Sequence, residues 1–277
     1  MLHETFKLRA EGSQPDARLV TYIQEYSDAM AVAERPLVLL CPGGGYGRTS
    51  DREAEPIALQ FLAMGYHAAV LRYSCAPARY PTALLELAQS VLLIREHARQ
   101  WHIKQDGLVI QGCSAGGHLA ACYAMFWNRP WLRERAGVAD RDPDHALLRP
   151  NGLMLCYPVI TSGEFAHRGS FENLTEGLPD QERLTAELSL EHQVNVEVPP
   201  TFIWHTYEDQ AVPVENSLLL VNALRRTGIS TEFHMYPKGG HGLALATALT
   251  QTGDGRCVQP QCAGWIELAH TWLEGIF

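Results

Sequence analysis

Apolar strands alternating with amphipathic helices predict an α/β fold on a mostly parallel sheet. Three observations carry this expectation. Leu37–Cys41, Leu108–Ile110 and Gly152–Cys156 are continuous apolar runs, as strands buried on both faces require. Residues 83–101 place Leu84, Leu87, Val91, Leu92, Ile94, Ala98 and Trp101 at helical spacing. Leu108–Ile110 also runs into Gly112-Cys113-Ser114-Ala115-Gly116, after which the alanine-rich stretch Leu119–Met125 reads as a helix. Strand, glycine-flanked turn and helix in that order form the context in which a serine is lifted out of a tight turn.

Taken in order, residues 3–9 and 18–26 read as two strands joined by the turn-forming 11–16. No crossover helix separates them, so they are expected as an antiparallel edge. Leu37–Cys41 ends in Pro42-Gly43-Gly44-Gly45-Tyr46-Gly47, and a helix over about 53–64 stops at Gly65. A strand over 66–72 and the 83–101 helix lead into the serine turn. Residues 127–150 are charged, contain proline and show little period, which predicts a surface excursion. Gly152–Cys156 is a further strand. The polar stretch 161–200 carries one or two short helices near 180–190 and is expected as a small cap over the strand ends. Thr201–His205, Val214–Thr227, Thr231–Tyr236 and Ala263–Leu273 follow as strand, helix, strand and closing helix. No composition break divides the chain, so 1–277 is expected to be a single domain.

The 277 residues are 46% hydrophobic and 19% charged, ordinary for a globular protein, with a formal net charge of −9. That charge argues against nucleic acid or an anionic membrane as the main partner. No apolar run is long enough to span a bilayer, and no signal peptide is evident at the N-terminus. The seven cysteines are scattered, without a C-x-x-C pair or zinc-ligand spacing, which predicts free thiols in a reducing, cytoplasmic setting.

Serine at its own pKa is a poor nucleophile and needs a base, an orienting acid and oxyanion donors. Thr201–His205 runs into a loop carrying Glu208 and Asp209. Asp209 is preferred as the acid, because the short connection to Val212-Pro213 fixes its carboxylate. Thr231–Tyr236 leads to Pro237-Lys238-Gly239-Gly240-His241-Gly242, and His241 is the expected base. His205 and His234 lie within strands and are held to one face or the other. The glycines after Leu37–Cys41 fit neither G-x-G-x-x-G nor a P-loop. They fit a loop of free amides, so Gly44 or Gly45 with Ala115 are the expected oxyanion donors. Cys113 is expected to pack in the core.

These segments resemble α/β-hydrolases of the acetyl-xylan-esterase-like and feruloyl-esterase-like carbohydrate esterase group. The resemblance runs through Pro42–Tyr46, Leu71–Tyr73, Gly112–Leu119, Leu155–Ile160, Ser170–Leu174, Pro199–Phe202, Trp204-His205, Glu208-Asp209, Val212–Asn216 and Gly239–Gly242. It departs from related lipases and esterases in one respect: Cys41-Pro42, not histidine, precedes the glycines. The resemblance implies the α/β-hydrolase fold and a serine esterase with Ser114 as nucleophile, His241 as base and Asp209 as orienting acid. It implies no cofactor or metal, and a small-molecule ester as substrate, short-chain and most simply an acetyl group on a sugar. A peptidase or amidase of the same fold would use the same side chains, and a non-catalytic binding module would keep only the fold.

Overall fold

The apolar runs pair into one sheet whose C-terminal strand ends come level, and that alignment gathers the candidate residues. The computed structural model describes residues 1–142 and 145–277, so the expected excursion at 127–150 lies partly outside the described residues, at 143 and 144. The strands are β1 (Thr5–Lys7), β2 (Arg18–Tyr22), β3 (Arg35–Cys41), β4 (His67–Arg72), β5 (Ile103–Cys113), β6 (Gly152–Cys156), β7 (Thr201–Thr206) and β8 (Thr231–Tyr236). Their spatial order is β1-β2-β4-β3-β5-β6-β7-β8. β1 and β2 pair antiparallel at one edge, as expected, and β3 to β8 are parallel. Cys41 lies opposite Gly112, Cys113 opposite Cys156, and Cys156 opposite Trp204. The loops after β3, β5, β7 and β8 therefore open at the same edge, where ligands bind in parallel α/β sheets.

The continuous apolar runs are explained by two cores. Alternate residues of β3 point to opposite faces. Leu37 and Leu39 join one cluster, with α2 (Thr82–His97), α3 (Ala115–Phe126) and α7 (Glu215–Thr227). Val38 and Leu40 join the other, with α1 (Glu55–Ala63) and α8 (Trp265–Ile276). Neither face meets water, so a polar side chain at either position of the pleat is costly unless it is hydrogen-bonded.

Several boundaries differ from expectation; the expected strands 3–9 and 18–26 shorten to Thr5–Lys7 and Arg18–Tyr22, and three further differences have a visible cause or consequence. β5 begins at Ile103, not Leu108, because exposed Gln105 and Asp106 interrupt the apolar run while the backbone still pairs with β3. α2 ends at His97; Trp101 is nevertheless buried and stacks on His97. α8 extends to Ile276. A larger correction concerns 127–150, which is not merely a surface excursion. It carries α4 (Pro130–Arg135), buries Leu132, Val138 and Leu148, and encloses an ion pair between Arg133 Nη1 and Asp142 Oδ2 at 3.1 Å. Both partners are buried, so each charge offsets the other's desolvation. Counting charges along the chain cannot show that.

Residues 161–200 hold α5 (Arg168–Thr175), α6 (Gln181–Glu187) and a 3₁₀ turn at Leu190–His192. Among the described residues no helix is long and apolar enough to cross a membrane.

Candidate active site

Ser114 stands where β5 becomes α3, at φ +55°, ψ −122°. A non-glycine residue there is strained, and the surrounding structure must hold it. The Ser114 amide donates to Cys156 O at 3.0 Å, and its carbonyl accepts the amides of His118 and Val159, each at 3.1 Å. The flanking glycines have a steric reason. A Cβ on Gly112 would lie 2.2 Å from Gly116 O, and one on Gly116 would lie 2.0 Å from Cys41 O. Gly116→Ala must therefore move backbone in β3. A loss of about 3 kcal/mol or more of stability is expected, at or beyond the upper end for overpacking, read as a lower urea midpoint at unchanged m.

From Ser114 a line of hydrogen bonds leads to the neighbouring loops. Ser114 Oγ is 2.7 Å from His241 Nε2, and His241 Nδ1 is 2.6 Å from Asp209 Oδ2. Ionised Asp209 can only accept, so Nδ1 carries the proton and Nε2 is free to take one from the serine hydroxyl. Asp209 Oδ1 accepts the amides of Ala211 at 3.0 Å and Val212 at 2.9 Å. Burial alone would push the Asp209 carboxyl up. Hydrogen bonds from His205 and His241, with the His241 charge and the Val212 amide, outweigh it and hold the group well below the usual carboxylate range. Glu208, the competing acid, is exposed, whereas Asp209 is buried.

The other expected residues lie around the same opening. Gly44 and Gly45, at φ +129° and +64°, line a cavity of about 500 Å³ together with Ser114 and His241. Among the described residues neither glycine amide donates to a protein acceptor. Ala115 is the first residue of α3, where helix geometry leaves the amide without an intrahelical partner. Gly43 is different: its amide is spent on Glu53 Oε2 at 2.9 Å. The departure from the histidine-led loop is thus met by other anchors, because Tyr73 Oη also donates to Pro42 O at 2.7 Å. Cys113 is fully buried, and burial pushes its thiol well up, as befits a packing residue.

Three residues at the site were not anticipated. His205 is fully buried, with Nε2 at 2.9 Å from Val212 O and 3.3 Å from Asp209 Oδ2. Both of those oxygens can only accept, which places the proton on Nε2 and leaves Nδ1 to accept from Ser217 Oγ at 2.8 Å. Its spacing of four from Asp209 was the available signal, and its place inside a strand hid it. His167 lines the cavity, and half-burial beside His241 pushes its pKa down, which favours the neutral ring. Glu53 is nearly inaccessible and touches the glycine loop. A larger open depression of about 1000 Å³, bounded by Ser162, residues 180–183, Thr185 and Ala186, contains none of the hydrogen-bonded trio. Among the described residues no cluster of three or more His, Cys, Asp or Glu side chains is arranged to hold a metal.

With this geometry in hand, comparison with known proteins is informative. The BD-FAE family model matches residues 23–224. Endo-1,4-beta-xylanase B of Butyrivibrio fibrisolvens is 38% identical over 77% of this chain and 33% of its own. The chain spans a third to less than half of the first two curated relatives it matches. Among solved structures, the acetyl ester-xyloside bifunctional hydrolase from Caldicellulosiruptor lactoaceticus superposes with TM-score 0.80 at 36% identity, over 94% of this chain and 88% of that one. The carboxylesterase Cest-2923 from Lactobacillus plantarum WCFS1 superposes with TM-score 0.84 at 31% identity, over 100% and 99% of the two chains.

Proposed function

Because this chain belongs to the BD-FAE family, we propose that it is a serine esterase cleaving short-chain acyl esters of polar, carbohydrate-like alcohols through an acyl-enzyme. The observation that carries the proposal is the unbroken line from Ser114 Oγ through His241 to Asp209, at 2.7 and 2.6 Å, beside two unspent glycine amides. In this reading His241 Nε2 takes the Ser114 proton as Oγ bonds to the ester carbonyl carbon. The carbonyl oxygen becomes an oxyanion held by the amides of Ala115 and Gly44 or Gly45. As the tetrahedral adduct collapses, the C–O bond to the alcohol breaks and His241 returns the proton to that oxygen. Water then repeats the sequence against the acyl-serine, releasing the acid and restoring Ser114. Asp209 steadies the transient imidazolium.

The cavity supports the substrate class. Its side chains are polar, including Arg48, Arg52, His167, Asn173, Thr252 and Arg256, with Cys257 the least polar among them. A long acyl chain finds no apolar channel there, while sugar hydroxyls find donors and acceptors. The solved relative named for acetyl ester hydrolysis points the same way. Residues 161–200 act in this reading as a small cap on the one domain, since their His167, Gly169 and Asn173 share the cavity with Ser114. Residence in a reducing compartment such as the cytoplasm belongs to the same proposal, with the seven cysteines all as free thiols.

The test is a panel of nitrophenyl esters from acetyl to octanoyl, acetylated xylo-oligosaccharides, and aminoacyl and formyl amides, with labelling by an organophosphonate. We expect kcat/KM to be highest for acetyl and to fall with chain length, with the label on Ser114. Turnover of the amides alone would make the protein an amidase or peptidase. A well-folded protein that takes no label at Ser114 would be a binding module instead.

A further inference from the structure

One buried carboxylate, Glu53, has no part in the proton relay, yet it joins the two walls of the cleft. It ends a 3₁₀ turn (Asp51–Glu53) just after the glycine loop and is only 4% exposed. Its Oε2 accepts the Gly43 amide at 2.9 Å, and its Oε1 accepts Tyr157 Oη–H at 2.8 Å. Tyr157 Oη in turn accepts the amide of Ala244, at 2.9 Å, in the loop that carries His241. The Tyr157 ring meets the His241 ring edge-on, with centroids 5.2 Å apart. The adjacent Arg52 reaches the same loop from the other side, donating from Nη1 to Gly242 O at 2.9 Å and from Nε to Thr250 O.

We propose that Glu53 is the positioning residue of the oxyanion loop, holding Gly43 with one oxygen and, through Tyr157, the His241 loop with the other. The inference rests on the esterase reading above. By committing the Gly43 amide inward, Glu53 leaves the amides that follow it, at Gly44 and Gly45, as the unspent donors. By holding Tyr157 it keeps those donors at a set distance from the imidazole. A carboxylate suits both contacts as they stand, because the Gly43 amide and the Tyr157 hydroxyl each donate and both of its oxygens accept. Glutamine has one accepting oxygen: spent on the Gly43 amide, it leaves an NH₂ against Tyr157, whose buried hydroxyl proton must turn away and loses the acceptor it has in Glu53. There is no room to compensate locally, since a Cβ on Gly43 would already lie 2.7 Å from Glu53 Oε2 and 2.8 Å from Ser114 Cβ.

The experiment compares wild type with Glu53→Gln for kcat and KM on nitrophenyl acetate. It also measures inhibition by methylboronic acid, which forms a tetrahedral adduct on the serine, and the urea unfolding midpoint. Removing an oxyanion donor outright costs ~100- to 1000-fold, so displacing donors through a neighbour is expected to lower kcat by about 10- to 100-fold. KM should change by less than about threefold, and boronate affinity should fall by roughly the same factor as kcat, since both sense the tetrahedral oxygen. A purely structural role would lower the midpoint without that parallel loss. Should Glu53→Gln not fold, Tyr157→Phe removes one arm and keeps the ring; a smaller parallel fall in kcat and boronate affinity supports the proposal. Values of kcat and boronate affinity within about twofold of wild type overturn it, as does a fall in kcat with boronate affinity unchanged. If wild type itself neither turns over esters nor takes a phosphonate on Ser114, the esterase reading fails and this proposal with it. If wild type does both and the variants match it, this proposal alone fails.

Discussion

Ser114→Ala is expected to lower kcat by about 10³-fold or more, roughly 4 kcal/mol of transition-state stabilisation, while leaving the fold intact. The substitution deletes the oxygen that would bond to the acyl carbon, and with it the hydrogen bond to His241 Nε2 at 2.7 Å. The amides at Ala115 and the glycine loop are untouched, so residual turnover measures what oxyanion binding and substrate positioning supply without a nucleophile. Stability should move little. Alanine inherits the same backbone position at φ +55°, and the holding contacts to Cys156, His118 and Val159 are made by backbone atoms. Single-turnover kinetics with a chromogenic acetate check both halves: the variant shows no burst, and its urea midpoint stays near that of wild type. A variant retaining most of its kcat would mean that another group attacks.

Asp209→Asn is expected to cost about 10³- to 10⁴-fold in kcat, and here the surroundings decide the mechanism of loss. Asp209 faces four donors: the amides of Ala211 and Val212, His205 Nε2–H, and His241 Nδ1–H. Asparagine has one accepting oxygen. If it serves the backbone amides, its NH₂ faces the histidines. His241 then accepts at Nδ1 and carries its proton on Nε2, where it can no longer take one from Ser114. KM should be nearly unchanged, because no substrate contact is altered.

The same variant has a signature in stability. The native Asp209 carboxyl lies below its unfolded value, so its ionised form stabilises the fold above the ordinary carboxylate pKa of about 4. That contribution is lost as pH falls through and below that range. The difference in urea midpoint between wild type and Asp209→Asn should therefore be largest at neutral pH and shrink toward pH 3. A difference independent of pH would mean that the carboxylate is not stabilised in the folded state.

Particular residues show how far the chain could be read before folding. β6 and β8 were legible to the residue, since apolar or alternating runs bounded by turns admit one assignment. That Ser114, Asp209 and His241 would meet could be expected, because each follows such a run on a short loop, and the topology of a parallel sheet sends those loops to one edge. Glu53 was legible only as the start of a helix. Nothing at its place in the chain reveals that Tyr157, 104 residues away, donates to it. His205 reads in the sequence as one of two strand histidines, with His234, because the partner that defines it, Asp209, reaches it only once β7 has turned. Arg133 and Asp142 looked like solvated charges for the same reason.

The amino-acid order by itself determined the parallel α/β architecture and the antiparallel edge, and it put forward Ser114, Asp209 and His241 as candidates, because periodicity and turn chemistry are local properties. Folding alone decided which further groups gather around them: His205 beside the Asp209 carboxylate, and Glu53 beneath the glycine loop. A hydrogen bond needs its partners within about 3 Å in space, and separation along the chain carries no trace of that distance.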